Sequence, residues 1–190
     1  MGDLERAEIY VLMLNPGFKP LDYKAESDNR FRQALVATLR QELEAQEFPF
    51  VCLDPQFAWT GGFSYWFGKL GDVVREIAKR RFNNKPRCAL RFLATKLAVM
   101  QAFPYRSESF GAGGVVQKLP SFLKAKNFVH SSLATANGGK IFILLRGAEL
   151  WSVSSRFPPA IVYDPAQARS ASLSLESQGG EAIIDHLMRT

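Results

Sequence analysis

The stretch Glu8-Ile9-Tyr10-Val11-Leu12-Met13-Leu14-Asn15-Pro16-Gly17 decides the fold. Residues 9–14 are a short continuous run of apolar side chains, rich in β-formers, and Asn15-Pro16-Gly17 ends it sharply. A run of that length bounded by turn residues reads as a strand buried on both faces. The same pattern recurs three times. Leu97-Ala98-Val99-Met100-Gln101-Ala102-Phe103 stops at Pro104, Lys140-Ile141-Phe142-Ile143-Leu144-Leu145 stops at Arg146-Gly147, and Ala160-Ile161-Val162-Tyr163 stops at Asp164-Pro165. Phe50-Val51-Cys52-Leu53, before Asp54-Pro55, is a shorter run of the same kind and predicts a minor strand.

Helices alternate with these runs. Ser27 or Asp28 can cap a helix whose apolar positions Phe31, Ala34, Leu35, Leu39 and Leu43 follow the 3.6-residue period. An aromatic, glycine-bearing loop is expected over Phe57, Trp59, Gly61, Gly62, Phe63, Tyr65 and Trp66; its rings form a satellite core or a base-binding surface. Leu70, Val73, Val74, Ile77 and Ala78 then give a helix that turns Arg75, Lys79 and Arg80 to solvent. Gly111 to Gly114 reads as a flexible loop. Helices are predicted over 120–136 (closed by Asn137-Gly138-Gly139), 148–153 and 181–188, the last burying Ile183, Ile184 and Leu187. Buried strands joined by crossover helices predict an α/β chain: three-layer α/β/α with a central, mainly parallel four-stranded sheet. With 190 residues, 47% of them apolar, a single domain over 1–190 is the expectation, and it has a sizeable core to bury.

Composition narrows the function. Two cysteines, Cys52 and Cys88, stand 36 positions apart in no ligand pattern, so a zinc site, an iron–sulfur cluster and a disulfide scaffold are not expected, and neither a metal nor a cofactor is assigned. Met1 to Arg6 carries acids and a base where an export signal needs an apolar segment. The longest apolar runs are strand-sized, well short of the roughly 20 residues of a membrane span. A soluble, cytoplasmic monomer without a membrane partner is expected. The formal charge is +6, but Lys69 to Lys96 holds nine Lys or Arg against Asp72 and Glu76, an excess of seven in one stretch. Such a stretch attracts phosphate backbones at long range, or is simply the solvated face of a helix.

In open parallel sheets ligands bind beyond the carboxyl ends of the strands. That rule gathers Asn15-Pro16-Gly17, Pro104-Tyr105-Arg106-Ser107, Arg146-Gly147 and Asp164-Pro165 around one crevice. Gln101 offers a carboxamide donor and acceptor to a ligand's polar edge, or it is satisfied by neighbouring backbone. Phe18 or Tyr105 can stack on a planar ligand or pack in the core, and Arg106 and Arg146 can contact phosphates or pair with Asp54, Glu108 or Glu149. His130 and His186 lie on helices, and with no G-x-S-x-G elbow a serine hydrolase is not supported. Gly111-Ala112-Gly113-Gly114 lacks the lysine of a phosphate-binding P-loop.

A first strand running into Leu14-Asn15-Pro16-Gly17 resembles the uracil-DNA glycosylase superfamily, whose mismatch-specific branch carries a G-I-N-P-G first motif. Strand 97–103 followed by Phe103-Pro104-Tyr105-Arg106-Ser107 is similar to the place where that superfamily has a strand-end residue reading the base. Ile141 to Ala148 resembles the apolar strand before its second motif. That second motif is typically H-P-S-P-L-S; the corresponding Tyr163 to Ser174 keeps a proline and serines without the histidine, and the first motif lacks an aspartate. The resemblance implies a hydrolase of DNA repair that cleaves the N-glycosidic bond of an extruded, damaged or modified base, with DNA in preference to RNA as partner. It implies Asn15, as a positioner of water, and Asp164, as a source of charge, in catalytic roles. Gly17, Phe18, Gln101, Tyr105, Arg106, Ser107, Arg146 and Arg169 would contact substrate, Arg169 by stabilising the departing anion. The alternative is a non-catalytic module that holds nucleic acid or a nucleotide on the same crevice and basic face.

Overall fold

The structure is a computed structural model that describes residues 1–111, 113–135, 139–156, 159–164 and 166–189, except for the side chains of Arg169 and Ser170. In chain order its elements are β1 (Ile9–Met13), α1 (Leu21–Ser27), α2 (Asn29–Arg40), α3 (Gly61–Arg81), α4 (Pro86–Lys96), β2 (Leu97–Gln101), α5 (Gly113–Val116), α6 (Pro120–Thr135), β3 (Ile141–Leu144), α7 (Ala148–Trp151), β4 (Ala160–Val162) and α8 (Gln178–Met188). The strands form one all-parallel sheet in the order β2-β1-β3-β4, consistent with a three-layer α/β/α fold. Ile9 pairs with Ile141 and Leu12 with Leu144 across β1 and β3, and Phe142 pairs with Ala160 across β3 and β4. The strands of β1, β2 and β3 are buried along nearly their whole length, which is why they read as continuous rather than alternating apolar runs.

Contacts divide the chain into two compact units. The first comprises Met1–Ala7, Lys19–Ala98 and Ser172–Thr190, the second Glu8–Phe18 and Val99–Ala171. In the first unit, α3 and α4 bury Leu70, Val73, Val74, Ile77, Leu90 and Leu93, and Trp66 packs edge-on against Phe50 with ring centres 5.2 Å apart. In the second, Tyr10 of β1 stacks on Phe142 of β3 at 5.0 Å, and fully buried Trp151 of α7 meets Phe122 of α6 at 5.1 Å. Trp151 also donates its Nε1 proton to the carbonyl of Met13 at 3.2 Å, so one indole ring fixes α7 to the end of β1.

Several local expectations change. Val51–Leu53 is a turn of 3₁₀ helix rather than a strand, followed by a second over Pro55–Phe57 that Asp54 caps. Four apolar residues are too few for periodicity to separate the two forms. The expected aromatic loop is in large part the start of α3, because Thr60 caps the helix by accepting from the Phe63 amide at 3.2 Å and Gly61-Gly62 follow it. Phe57 and Trp66 are core, whereas Trp59 is 55% exposed. Asp28 caps α2, as expected, but the buried stripe is Phe31, Ala34 and Thr38, and Leu39 is 68% exposed. Helices α1 and α4 carry weaker sequence signals. The expected Gly111–Gly114 loop gives way to α5 from Gly113; Ala112, and the closing Asn137-Gly138, lie outside the described residues.

Candidate functional site at the strand ends

The candidate site lies wholly within the second unit, where backbone pairing carries on past the strands. Ala102 and Phe103 donate their amide protons to Met13 and Leu14 at 3.0 and 2.7 Å, Leu145 donates to Leu12 at 3.2 Å, and Tyr163 donates to Leu144 at 3.2 Å. The chain therefore leaves all four strands in register. Gly147, just after β3, has φ +76°, and a Cβ there would overlap the Leu14 side chain. Only glycine lets the third loop fold so closely over the first.

Asn15 and Ser107 meet although they lie far apart in sequence. The Asn15 Nδ2 group donates to Ser107 Oγ at 2.8 Å and to the Pro16 carbonyl at 3.1 Å. Ser107 Oγ in turn donates to the Ser109 carbonyl at 2.8 Å, and the Ser107 amide donates to the Pro16 carbonyl at 3.3 Å. This relay fixes the amide orientation: the nitrogen is occupied, while Asn15 Oδ1 accepts nothing among the described residues. A half-buried, oriented acceptor results.

Gln101 ends β2, with its Nε2 3.9 Å from the Met13 sulfur, a weak acceptor. Its Oε1 is buried and has no hydrogen-bond partner among the described residues. The backbone satisfaction considered for it from the sequence does not occur at that oxygen. A buried acceptor left without a donor costs about 1 to 3 kcal/mol, so this oxygen weakens the fold unless something fills it.

The remaining candidates differ in how they are engaged. Tyr105 is 66% exposed and meets Phe103 edge-on at 5.3 Å, leaving most of its ring accessible, whereas Phe18 is half-buried and Gly17 exposed. Arg106 and Arg146 are exposed, and Arg146 donates through Nε to the Ala168 carbonyl at 2.9 Å, tying the loop after β3 to the turn Gln167–Ser170. Asp164 Oδ1 accepts the amide protons of Ala166 and Gln167, both at 2.8 Å, so this carboxylate caps the same turn. Arg169 belongs to that turn, but its side chain, like all of Pro165, lies outside the described residues.

His130 accounts for itself structurally, with its Nε2 2.9 Å from the Trp151 carbonyl. Among the described residues no group of three or more His, Cys, Asp or Glu could hold a metal ion, and no helix is long and apolar enough to cross a membrane. Met13 and Trp151 are the positions that sequence reasoning missed. Both lie in apolar stretches whose packing role masks the contacts they make to Gln101 and to the strand end.

Comparison with family models, with curated proteins and with solved structures finds no match to this chain.

Proposed function

We propose that the strand-end site binds an extruded nucleobase and hydrolyses its N-glycosidic bond, as in the uracil-DNA glycosylases that the sequence resembles. The observation that carries this reading is a pair of strand-end amides, Asn15 with its Nδ2 held by Ser107 and Gln101 with a buried, unsatisfied Oε1, at the ends of β1 and β2. In the reaction a water oxygen forms a bond to the sugar C1′. The C1′–N bond breaks, its electron pair leaves with the base, and the proton lost by the water passes to solvent or to that base. Asn15 Oδ1 would accept a hydrogen bond from the water and aim its lone pair; as a neutral amide it takes no proton. Gln101 Oε1 would accept an N–H of the base edge, which supplies the donor this oxygen lacks. Tyr105 would stack on the ring, with Phe18 a less exposed platform, and Arg106 and Arg146 would hold the flanking phosphates. Asp164 keeps one oxygen for the turn it caps and offers the other as charge for the oxocarbenium-like transition state.

A second reading is favoured by the neutrality of Asn15 and by the capping duty of Asp164: a module that binds nucleic acid or a nucleotide without turnover. Incubation with single- and double-stranded oligonucleotides carrying uracil, hypoxanthine, xanthine or a mismatch separates the two. Release of free base that is lost in Asn15→Ala is the expected result. Salt-sensitive binding with no base released from any substrate would favour the module.

A further inference from the structure

Nine of the 24 basic residues fall between Lys69 and Lys96, and the fold concentrates them at one hairpin of the first unit. Helix α3 ends at Arg81 and α4 begins at Pro86. The turn between them holds Asn83 and Asn84 at φ 48° and 59°, and it is closed by the Asn84 amide donating to the Ala78 carbonyl at 2.9 Å. Asparagine tolerates this left-handed backbone better than most side chains. The hairpin is thus a defined shape that presents its charges from both sides of a tight turn.

Local pairing explains only part of this charge. Asp72 accepts from Arg75, Glu76 from Arg80, and Glu47 from Arg87 at 2.6 Å, with Arg91 3.7 Å away. Arg81 is engaged in packing, with its guanidinium 4.7 Å from the Phe92 ring centre and a hydrogen bond to the Leu187 carbonyl. The side chains of Lys79 and Lys85 are exposed and make no hydrogen bond or ion pair among the described residues.

Helix stability does not account for the remainder. Cations at the carboxyl end of α3 suit its dipole, but Lys85 and Arg87 sit at the amino end of α4. There no first-turn acid and no capping side chain offsets Lys85, while Arg87 is paired with Glu47, and a cation at that end is unfavourable by roughly 0.3 to 1 kcal/mol. Beyond Tyr65 and Phe67, exposed near the start of α3, the same surface lacks apolar anchors. Both helices bury their apolar faces in the unit's core, and among the described residues no large apolar side chain between Phe67 and Tyr105 is exposed. A membrane-surface helix needs both charge and an exposed apolar face. A polyanion with regularly spaced phosphates needs only the charge, and planar arginine forks match phosphates bidentately.

We infer that the α3–α4 hairpin is a docking surface for the phosphodiester backbone of nucleic acid, independent of base sequence. The inference rests on the nucleic-acid reading of the strand-end site only for the choice of polyanion. On binding, phosphates displace counterions from Lys79 and Lys85 and compete with Glu76 and Glu47 for the arginines they pair.

The test is binding of the full chain to an undamaged, fluorescein-labelled oligonucleotide, single- and double-stranded, followed by anisotropy between about 50 and 200 mM salt. The variant Lys79→Gln/Lys85→Gln/Arg87→Gln should lower the slope of log affinity against log salt by about 3, and weaken binding about a hundredfold near 0.1 M salt. Lys79→Arg/Lys85→Arg should keep the parent slope and affinity. Thermal melts that match the parent's make the loss one of charge rather than of folding. An unchanged slope in the neutralised variant overturns the inference, as does binding to phosphatidylserine vesicles with none to the oligonucleotide. Hairpin-dependent binding with no base released from any substrate upholds this inference while removing the glycosidase chemistry.

Discussion

The α3–α4 hairpin and the strand-end loops handle charge in opposite ways. The hairpin carries cations in excess, pairs some through neighbours one helical turn away, and leaves others to solvent. The strand ends place neutral amides where the backbone converges, with Asn15 held by short hydrogen bonds through Ser107 and Gln101 Oε1 left unsatisfied. Net charge acts over about a Debye length and discriminates little; an oriented, half-buried acceptor acts only within hydrogen-bond reach and discriminates sharply. Under the proposed function, the first arrangement serves capture of a polymer and the second recognition of one group on it.

The largest effect expected is on the strand-end region itself. Trp151→Ala removes a fully buried ring and one of the two donors to the Met13 carbonyl, and it should cost about 3 to 5 kcal/mol in urea unfolding. A cost near that of a surface substitution would mean that the site's frame is set elsewhere. Next, Asn15→Ala should lower base release about a hundredfold while leaving affinity for an undamaged oligonucleotide unchanged. Equal losses in both would erase the division between capture and recognition.

A smaller change is expected at the residue that orients Asn15. Ser107→Ala frees its amide to rotate and should lower kcat about tenfold with little change in KM, and Ser107→Thr should restore it. A change confined to KM would instead make Ser107 a substrate contact. Gln101→Leu sharpens the contrast further: removing an unsatisfied buried acceptor should leave stability unchanged or raise it by about 1 kcal/mol, yet abolish base binding. Destabilisation by that substitution would give Gln101 a structural duty. Smallest of all, Glu76→Gln breaks an exposed ion pair and should shift stability by less than about 0.5 kcal/mol, while tightening DNA binding by freeing Arg80. Weaker binding would contradict the role assigned to the hairpin.

Much of the frame was legible in the chain because burial on both faces leaves a plain record. Ile9–Met13, Leu97-Ala98-Val99-Met100 and Ile141–Leu144 are apolar runs, each followed within a few residues by a turn signal. Short or mixed segments were not so legible. Val51–Leu53 is as apolar as a strand but forms a single 3₁₀ turn whose preceding residue, Phe50, donates its amide proton to the Ala94 carbonyl. Gly61-Gly62 argue locally against a helix, yet the Thr60 cap and the buried face of α3 outweigh their low propensity. At the site, the residue types could be named from the sequence; their partners could not. Nothing local to Asn15 says that its amide is held by a serine 92 positions away, and nothing local to Asp164 favours capping over chemistry.

The sequence by itself determined where the strands run, which of their ends carry polar groups, and where the basic charge accumulates, since these follow from side-chain chemistry and nearest-neighbour spacing. Only the tertiary structure decided which atoms of those groups are occupied and which remain open: Asn15 Oδ1 and Gln101 Oε1 at the strand ends, Lys79 and Lys85 at the hairpin. Hydrogen bonds and ion pairs need separations of about 3 Å, met to within a few tenths of an ångström, between residues distant along the chain, and only the folded backbone sets those separations.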